Sequence, residues 1–431
     1  MPATSTIERY LARYALLPTL PILQDERWRH VVVLPAYDES PELLDRLPAD
    51  SGVLVILVLN RPDTEANPDV NDPLRAAVVS RGVTDVGSAL ALHTAGTGTA
   101  ESSSPSILML DLDALEGALP SDQGVGRARR LGADLALWLY QRGHILSHWL
   151  LSSDADATLP VSLLSSLSDQ SGAAVTLPFV HSVQNDAIGL ATLLYELRLH
   201  QYVAGLQQAG SPYAFHTLGS ACAFSAEAYA KVRGVPLRNA AEDFYLLNKI
   251  AKVGAMTSLS GTCITIDARV SDRVPFGTGP SVARLVQSED CWHEPIFYHP
   301  GVFQCLGQIL KSVTEHFQGE HPQDVILDQT SGAEAWGVLL PMGVEEVLDH
   351  CWRQGRDAVS RERHFHTWLD GFRTLKLLHG LRDSGLSNQS FVQWQAGLEK
   401  PAGSTSYTHL LALRQQYFGQ WGWLLGADFQ S

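Results

Sequence analysis

The segment HWLLSSDADATLP (148–160) places two aspartates, Asp154 and Asp156, just after a short apolar run. In an extended loop, residues two apart point to the same side, so both carboxylates can face one ion. Mg²⁺ and Mn²⁺ are commonly bound by one or two carboxylates, with substrate phosphates completing the shell. The alternative is structural, with Asp156 or Thr158 capping a following helix, LPVSLLSSL. Taken alone, the segment favours neither interpretation.

A second pair of carboxylates lies in RNAAEDFYLLNKIAKVG (238–254), whose pattern predicts a helix. Asn239 is a candidate N-cap, and Glu242, three residues later, completes a capping-box pattern. This interpretation gives Glu242 a structural role and leaves Asp243 without one. A carboxylate in the first turn of a helix is stabilised as the anion, so Asp243 is a candidate proton acceptor.

Polar residues also follow two other apolar runs. In VVVLPAYDES (31–40), Ser40 is a candidate cap for the helix PELLDRL, while Tyr37 and Glu39 are candidates for ligand binding. In VILVLNRPD (55–63), Asn60 stands where the strand ends. It is placed either to bind a base edge or a phosphate, or to form a plain turn.

Arginines mark two further segments. In DQGVGRARRLGADLAL (122–137), a glycine-bearing loop enters a helix with Arg127, Arg129 and Arg130 in its first turn. A helix N-terminus favours acidic groups, so these arginines indicate either a nearby anion or a solvated basic face. Neither nucleotide-binding fingerprint is met, because the third glycine and the Walker lysine are missing. Arg273, in the glycine-rich turn SDRVPFGTGPS, is a candidate for closing over a phosphate or belongs to a surface turn.

These residues are positioned by an alternation of strands and helices. Short apolar runs at 31–34, 53–59, 107–110 and 148–151 are separated by helical patterns, and further strands are predicted at 173–177 and 262–266. The alternation predicts an α/β fold with a doubly wound, mostly parallel sheet, in which ligands bind beyond the carboxyl ends of the strands. After about residue 300 the spacing is helical. The expected organisation is a helical extension (1–27), an α/β domain (28–299) and a helical region (300–431).

Composition sets the broad class of the protein. The chain has 431 residues and a net charge of −15, which argues against binding nucleic acid or anionic lipid over a broad surface. Its 5 cysteines are scattered, without a CxxC pair, which favours a reducing compartment over a disulfide framework or a zinc ribbon. No apolar stretch approaches the roughly 20 residues of a membrane span. The sequence therefore predicts a soluble, cytoplasmic protein.

In their order along roughly residues 28–280, these segments resemble glycosyltransferases of the GT-A type, specifically the large family 2. VVVLPAYDE is similar to the family's opening strand and nucleoside-contacting loop, which implies that Pro35, Tyr37 and Glu39 bind the donor. SSDADATLP is similar to its D-x-D metal motif. LGSACAFSAEAYAKVRGVP is similar to the segment of small residues under the acceptor. AAEDFYLLNKIAKVG is similar to the helix that supplies the catalytic base, which implies Asp243 beside Glu242.

The resemblance implies a Rossmann-like GT-A domain that binds a nucleoside diphosphate sugar, with UDP or GDP as the nucleotide. A divalent Mg²⁺ or Mn²⁺ would bind Asp154 and Asp156, with Asp154 also contacting the donor. The third metal ligand in such enzymes is often a late histidine, for which His293 and His299 in CWHEPIFYHP are candidates.

Other donor contacts follow from the same resemblance. Arg127 or Arg273 would stabilise the leaving diphosphate. Many members carry DDGSTD after the second strand, whereas this chain has LNRPD, so Asn60 would have to recognise the base. This departure leaves the choice between uridine and guanosine open.

The expected activity is a single transfer of a sugar to an acceptor hydroxyl with inversion, Asp243 accepting the proton. The Q-x-x-R-W motif of processive synthases does not follow Asp243. A retaining enzyme, an inactive nucleotide-sugar-binding or scaffold protein, and a nucleotidyltransferase are the alternatives. LMLDLDALEG (108–117) resembles a phosphatase nucleophile loop, but Leu115 stands where that loop needs Thr or Val. The acceptor and the oligomeric state, a homo-oligomer included, stay open.

Overall fold

The structure is a computed structural model that describes residues 5–95, 104–238, 240–270, 277–322, 333–397 and 406–425. The chain forms two compact units, each assembled from separate stretches of sequence. Unit 1 comprises Met1–Ser182, Thr217–Gly277 and Phe418–Ser431, and unit 2 comprises Val183–His216 and Thr278–Tyr417. These units therefore differ from the three continuous domains expected from the sequence.

The strands that the structure describes all belong to unit 1. They are β1 (His30–Ala36), β2 (Val53–Leu59), β3 (Thr84–Gly87), β4 (Leu90–His93), β5 (Ser106–Asp111), β6 (Trp149–Ser152), β7 (Ala157–Thr158), β8 (Ala174–Thr176), β9 (Phe179–Ser182), β10 (Cys222–Ser225), β11 (Met256–Ser258), β12 (Gly261–Thr262), β13 (Ile264–Asp267) and β14 (Trp423–Leu424). The apolar runs that predicted strands are confirmed, except that the run at 262–266 is divided between β12 and β13, which belong to different sheets.

Among the described residues, nine strands form one sheet in the order β11-β8-β10-β6-β1-β2-β5-β4-β3. Its centre, β6-β1-β2-β5, is parallel, and β1 and β2 are buried along their whole length. Strand β10 runs antiparallel to both β6 and β8, while β4 and β3 form an antiparallel edge. The sheet is therefore mixed, and parallel pairing is found at its centre and between β11 and β8 at one edge rather than throughout.

The helices are α1 (Thr6–Arg13), α2 (Asp72–Ser80), α3 (Leu112–Glu116), α4 (Gly124–Gln141), α5 (Val161–Leu167), α6 (Ala187–Gln208), α7 (Ala226–Lys231), α8 (Glu242–Ile250), α9 (Thr278–Gln287), α10 (Pro300–Gln318), α11 (Ala333–Leu339), α12 (Val344–Gln354), α13 (Ala358–Trp368), α14 (Gly371–Asp383), α15 (Phe391–Ala396) and α16 (Tyr407–Trp421). Short 3₁₀ helices cover Pro41–Asp45 and Leu340–Met342. The prediction of helical structure after residue 300 is confirmed.

Helix α4 packs closely on the centre of the sheet. A Cβ atom at Gly132 would lie 2.6 Å from Val33 Cγ1 and 2.9 Å from Val58 Cγ2. Both valines are fully buried in β1 and β2, so neither side chain can move aside. The glycine thus sets the height of α4 above the strands whose ends carry the candidate site.

We expect Gly132→Ala to lower the free energy of unfolding by about 1–2 kcal/mol, because overpacking outweighs the better helix propensity of alanine. Urea unfolding would measure the change. Gly337→Ala in α11 is the matched control, since no atom lies within 4 Å of its added Cβ. That variant should be unchanged or more stable by up to about 1 kcal/mol. Equal stability of the two variants would contradict the close packing of α4.

The predicted N-terminal helix is confirmed as α1, which is tied to α4 through a buried carboxylate. Asp134 Oδ1 accepts hydrogen bonds from the hydroxyls of Tyr10 at 2.6 Å and Tyr229 at 2.7 Å. Asp134 Oδ2 accepts from the backbone N–H of Leu16 at 2.6 Å. The first described residues, including α1, are therefore part of unit 1.

The end of the described chain also belongs to unit 1. Strand β14 pairs in parallel with β12, with Gly261 opposite Trp423. The indole of Trp423 packs against Phe179 of β9 at a ring-centroid distance of 5.4 Å. Strand β9 pairs in turn with β13, and β13 with β7, the strand that follows Asp156. No helix among the described residues is long and apolar enough to cross a membrane.

Candidate active site

The predicted acidic residues lie at the point where the strand order of the sheet changes direction. From β1 the chain proceeds through β2 to β5 on one side and later returns to β6 on the other. Open α/β sheets bind ligands at such a switch point, beyond the carboxyl ends of the strands. Glu39 follows β1, and Asp154 and Asp156 follow β6.

One buried arginine joins the two predicted acidic motifs. Arg129 Nη2 donates to Asp154 Oδ1 at 2.6 Å, and Arg129 Nε donates to Glu242 Oε1 at 3.0 Å. Its Nη1 donates to the hydroxyl of Ser152 and, at 3.1 Å, to the carbonyl of Gly219. The Arg129 side chain is only 4% exposed. Burial alone would lower its pKa, but Asp154 and Glu242 raise it, so the guanidinium stays charged.

Asp243 lies beside this guanidinium. A Cβ atom added at Gly219 would meet both Arg129 Nη2, at 2.8 Å, and Asp243 Oδ2, at 3.3 Å. Burial and then the charge of Glu242 raise the pKa of Asp243 to about 7, although Arg129 acts in the opposite direction. A carboxylate with a pKa near neutrality is matched to general acid–base catalysis.

The helix that carries these acids begins differently from the prediction. Helix α8 starts at Glu242, after Ala241 in the left-handed conformation (φ 58°, ψ 20°), and no side chain caps it. The predicted capping role of Glu242 is wrong, because its carboxylate binds Arg129. Asn239, the predicted N-cap, lies outside the described residues.

The second aspartate of the D-x-D segment has its own arginine. Arg269 Nη2 lies 3.0 Å from Asp156 Oδ2 and 3.4 Å from Glu39 Oε1, so it connects the loops after β6 and β1. Burial and the charge of Asp154 raise the pKa of Asp156, against the effect of Arg269. The helix-cap alternative for this segment is wrong, because Pro160 occupies the N-cap position of α5 and no side chain caps it.

A histidine that the sequence did not single out approaches Asp156. His181 of β9 is buried, and its charged form would lower the pKa of Asp156. The predicted third metal ligand, His293, belongs to unit 2, where its Nδ1 lies 2.8 Å from Asp290 Oδ2. His299, the other candidate, caps α10 by accepting from the N–H of Gly301.

The acidic residues fit a divalent cation only together with a ligand's oxygens. No group of three or more His, Cys, Asp or Glu in the described part of the chain is arranged to hold a metal ion. Asp154 and Asp156 supply two hard carboxylates, each already beside an arginine. Mg²⁺ typically takes one or two carboxylates and completes its shell with water and phosphate oxygens.

The predicted nucleoside-binding residues cluster at the ends of β1 and β2. Pro35 is buried within β1. The hydroxyl of Tyr37 donates to Glu65 Oε2 at 2.7 Å. Asn60 Nδ2 donates to the carbonyls of Ala36 at 3.0 Å and Val58 at 3.3 Å. The side-chain amide of Asn60 therefore joins the two strand ends.

Of the two arginines predicted to bind the diphosphate, the structure describes only Arg127. Arg127 Nη2 lies 2.6 Å from Glu116 Oε2. Arg273 lies outside the described residues. The anion that the arginine-rich turn predicted is the protein's own Asp154 and Glu242, bound by Arg129.

The aspartates of the phosphatase-like segment have structural roles. Asp111 Oδ1 caps α3 by accepting from the N–H of Ala114, and Arg75 Nε lies 2.5 Å from Asp111 Oδ2. Asp113 pairs with Arg61 at 3.1 Å. These contacts support setting the phosphatase alternative aside.

Comparisons with known proteins find similarity among solved structures but not among sequences. No family model and no curated protein matches the sequence. Among solved structures the chain is similar to the mannosyltransferase PcManGT from Pyrobaculum calidifontis, in complex with GDP-Man and Mn²⁺. The two are 14% identical with a TM-score of 0.34, over 96% of this chain and 88% of that chain.

Proposed function

We propose that the protein is a metal-dependent glycosyltransferase of the GT-A type, similar to family 2. It would move a sugar from a nucleoside diphosphate sugar to an acceptor hydroxyl, in a single transfer and with inversion. The observation that carries the proposal is the pairing of Asp154 and Glu242 with the same guanidinium, next to Asp243. Two acidic motifs far apart in sequence thus meet at the switch point of an α/β sheet.

The two motifs have different chemical roles. Asp154 and Asp156 would hold the divalent ion against the donor's diphosphate, with Glu39 and Tyr37 on the nucleoside side of the crevice. The bound ion would neutralise the negative charge that develops on the leaving diphosphate. Arg269 balances the charge of Asp156 and Glu39 before the donor arrives.

Asp243 would act on the acceptor. With a pKa of about 7, its carboxylate is largely ionised at slightly alkaline pH, yet it is basic enough to take the proton of an attacking hydroxyl. Oδ1 accepts the N–H of Phe244 at 2.6 Å. This hydrogen bond restrains the carboxylate within the first turn of α8.

We expect one nucleoside diphosphate to bind in a metal-dependent way. Calorimetric titration of UDP, GDP and ADP, each with Mn²⁺ and again with EDTA, tests this. Binding of one nucleotide with Mn²⁺, lost or strongly weakened with EDTA, would support the proposed site and identify the donor class. If the folded protein binds none of the three, the proposed function is wrong and a scaffold role is the better interpretation.

A further inference from the structure

We propose that Arg129 is a positioning residue that couples the donor-side Asp154 to the acceptor-side helix α8 through Glu242. The inference rests on the proposed function and adds to it a residue that balances charge between the two halves of the site. In this arrangement the carboxylate of Glu242 binds one edge of the Arg129 guanidinium and balances part of its positive charge, so that Asp154 does not balance all of it.

The geometry of the guanidinium carries this inference. Glu242 binds its Nε edge and Asp154 binds Nη2, so the two carboxylates occupy different edges of one rigid plane. Backbone and hydroxyl acceptors hold Nη1. A lysine ammonium is a compact point charge and lacks this fork, so it cannot reproduce the arrangement.

The surrounding backbone keeps the arginine in place. A Cβ atom at Gly126 would lie 2.4 Å from the carbonyl oxygen of Arg238, and the Gly126 N–H donates to that oxygen at 3.1 Å. The first turn of α4 is thereby fixed against the loop that precedes α8. Glu242 and Asp154 are 5% and 35% exposed, so Asp154 is the carboxylate that a ligand reaches more easily.

The proposed coupling predicts that loss of the Glu242 charge weakens metal binding at Asp154. Removing the charge of Glu242 leaves Asp154 as the main counter-charge of Arg129, which strengthens their ion pair and makes Asp154 a poorer ligand for a cation. We expect Glu242→Gln to weaken the Mn²⁺-dependent affinity for GDP or UDP, whichever the wild type binds, by about fivefold or more. The affinity measured in EDTA should not change.

Calorimetric titrations of a small set of variants test the link. Glu227→Gln is the matched control, because it removes the same charge from an exposed pair with Lys231 in unit 1. Its Mn²⁺-dependent affinity should equal that of the wild type. In an Arg129→Lys background, Glu242→Gln should have little further effect on the Mn²⁺-dependent affinity, since the planar guanidinium that binds both carboxylates is gone.

The outcomes separate this inference from the function on which it rests. If the wild type binds the nucleotide and Glu242→Gln binds it with the same affinity, the proposed role of Arg129 is wrong, while the proposed function stands. The same conclusion follows if Glu242→Gln weakens binding as much in the Arg129→Lys background as it does in the wild type. Absence of nucleotide binding by the folded wild type would overturn the proposed function, and the coupling with it. If Arg129→Lys does not fold, comparing Glu242→Gln with Glu227→Gln still decides, because both keep the arginine.

Discussion

Asp243→Asn is expected to lower turnover by about 10²–10⁴-fold while Mn²⁺-dependent nucleotide binding stays close to that of the wild type. Asparagine keeps the size of the side chain and an oxygen that can accept the N–H of Phe244, but it cannot take a proton from the acceptor. The donor-side carboxylates, Asp154 and Asp156, are unchanged in this variant. Steady-state turnover and calorimetric titration of the nucleotide measure the two quantities separately.

The pH dependence of the turnover rate is an independent check on the assignment of Asp243 as the base. Because the pKa of Asp243 is raised to about 7, its proton-accepting form is lost as the pH falls through 7, and activity should fall with it. Glu242→Gln removes a charge that raises this pKa and should move the acid limb of the pH–rate profile to lower pH. Loss of nucleotide binding in Asp243→Asn, or a wild-type profile that is flat around pH 7, would contradict the assignment of Asp243 as the base.

The same pKa makes a prediction about stability. A carboxyl whose pKa is higher in the folded than in the unfolded state destabilises the fold when it ionises, and this cost grows as the pH rises towards 7. Asp243→Asn should therefore melt at a higher temperature than the wild type at pH 8, with a smaller difference at pH 5. A gain in stability together with a loss of activity is common when a substitution removes a buried charge from an active site.

Arg129→Met is expected to lower the free energy of unfolding by about 3–5 kcal/mol, because it leaves carboxylates in place without their buried cation. Most of the loss should come from Glu242, the less exposed partner. The double variant Arg129→Met, Glu242→Gln should recover part of the stability, since it removes one unbalanced charge. Urea unfolding of the three proteins measures these differences.

A second ion pair of unit 1 supplies the comparison for Arg129→Met. Arg81→Met breaks the pair with Asp45, whose carboxylate is 79% exposed, and should cost about 1 kcal/mol or less. If Arg129→Met cost no more than Arg81→Met, the guanidinium would not be the main cation of the site.

The sequence predicts the centre of the sheet better than its edges. The runs VVVL and VLVILVL are wholly apolar and rich in β-branched residues, which is typical of strands covered on both faces. Strand β10, CAFS, is not predicted from the sequence, because it contains no β-branched residue that would indicate a strand. Its antiparallel pairing with β6 and β8 depends on contacts that are distant in the chain, which local pattern cannot supply.

The acidic motifs were predicted from the sequence, but the arginine between them was not selected. The predicted donor contact was Arg127, whereas the residue beside the acids is Arg129. A helical period contains the missing signal: Gly126, Arg129, Ala133 and Ala136 follow at spacings of three and four and share one buried face of α4. Arg269 and His181 had no comparable signal, because the pairing of β13 with β9 and β7 brings them to Asp156.

The parallel pairing of β14 with β12 has a consequence for biosynthesis. Unit 1 cannot be completed until residues 418–425 have left the ribosome, after all of the chain that forms unit 2. Translation proceeds at about 5–20 residues per second. The layer of strands behind Asp156 therefore acquires its Trp423 contact only after the stretches of chain that form unit 2 have been synthesised.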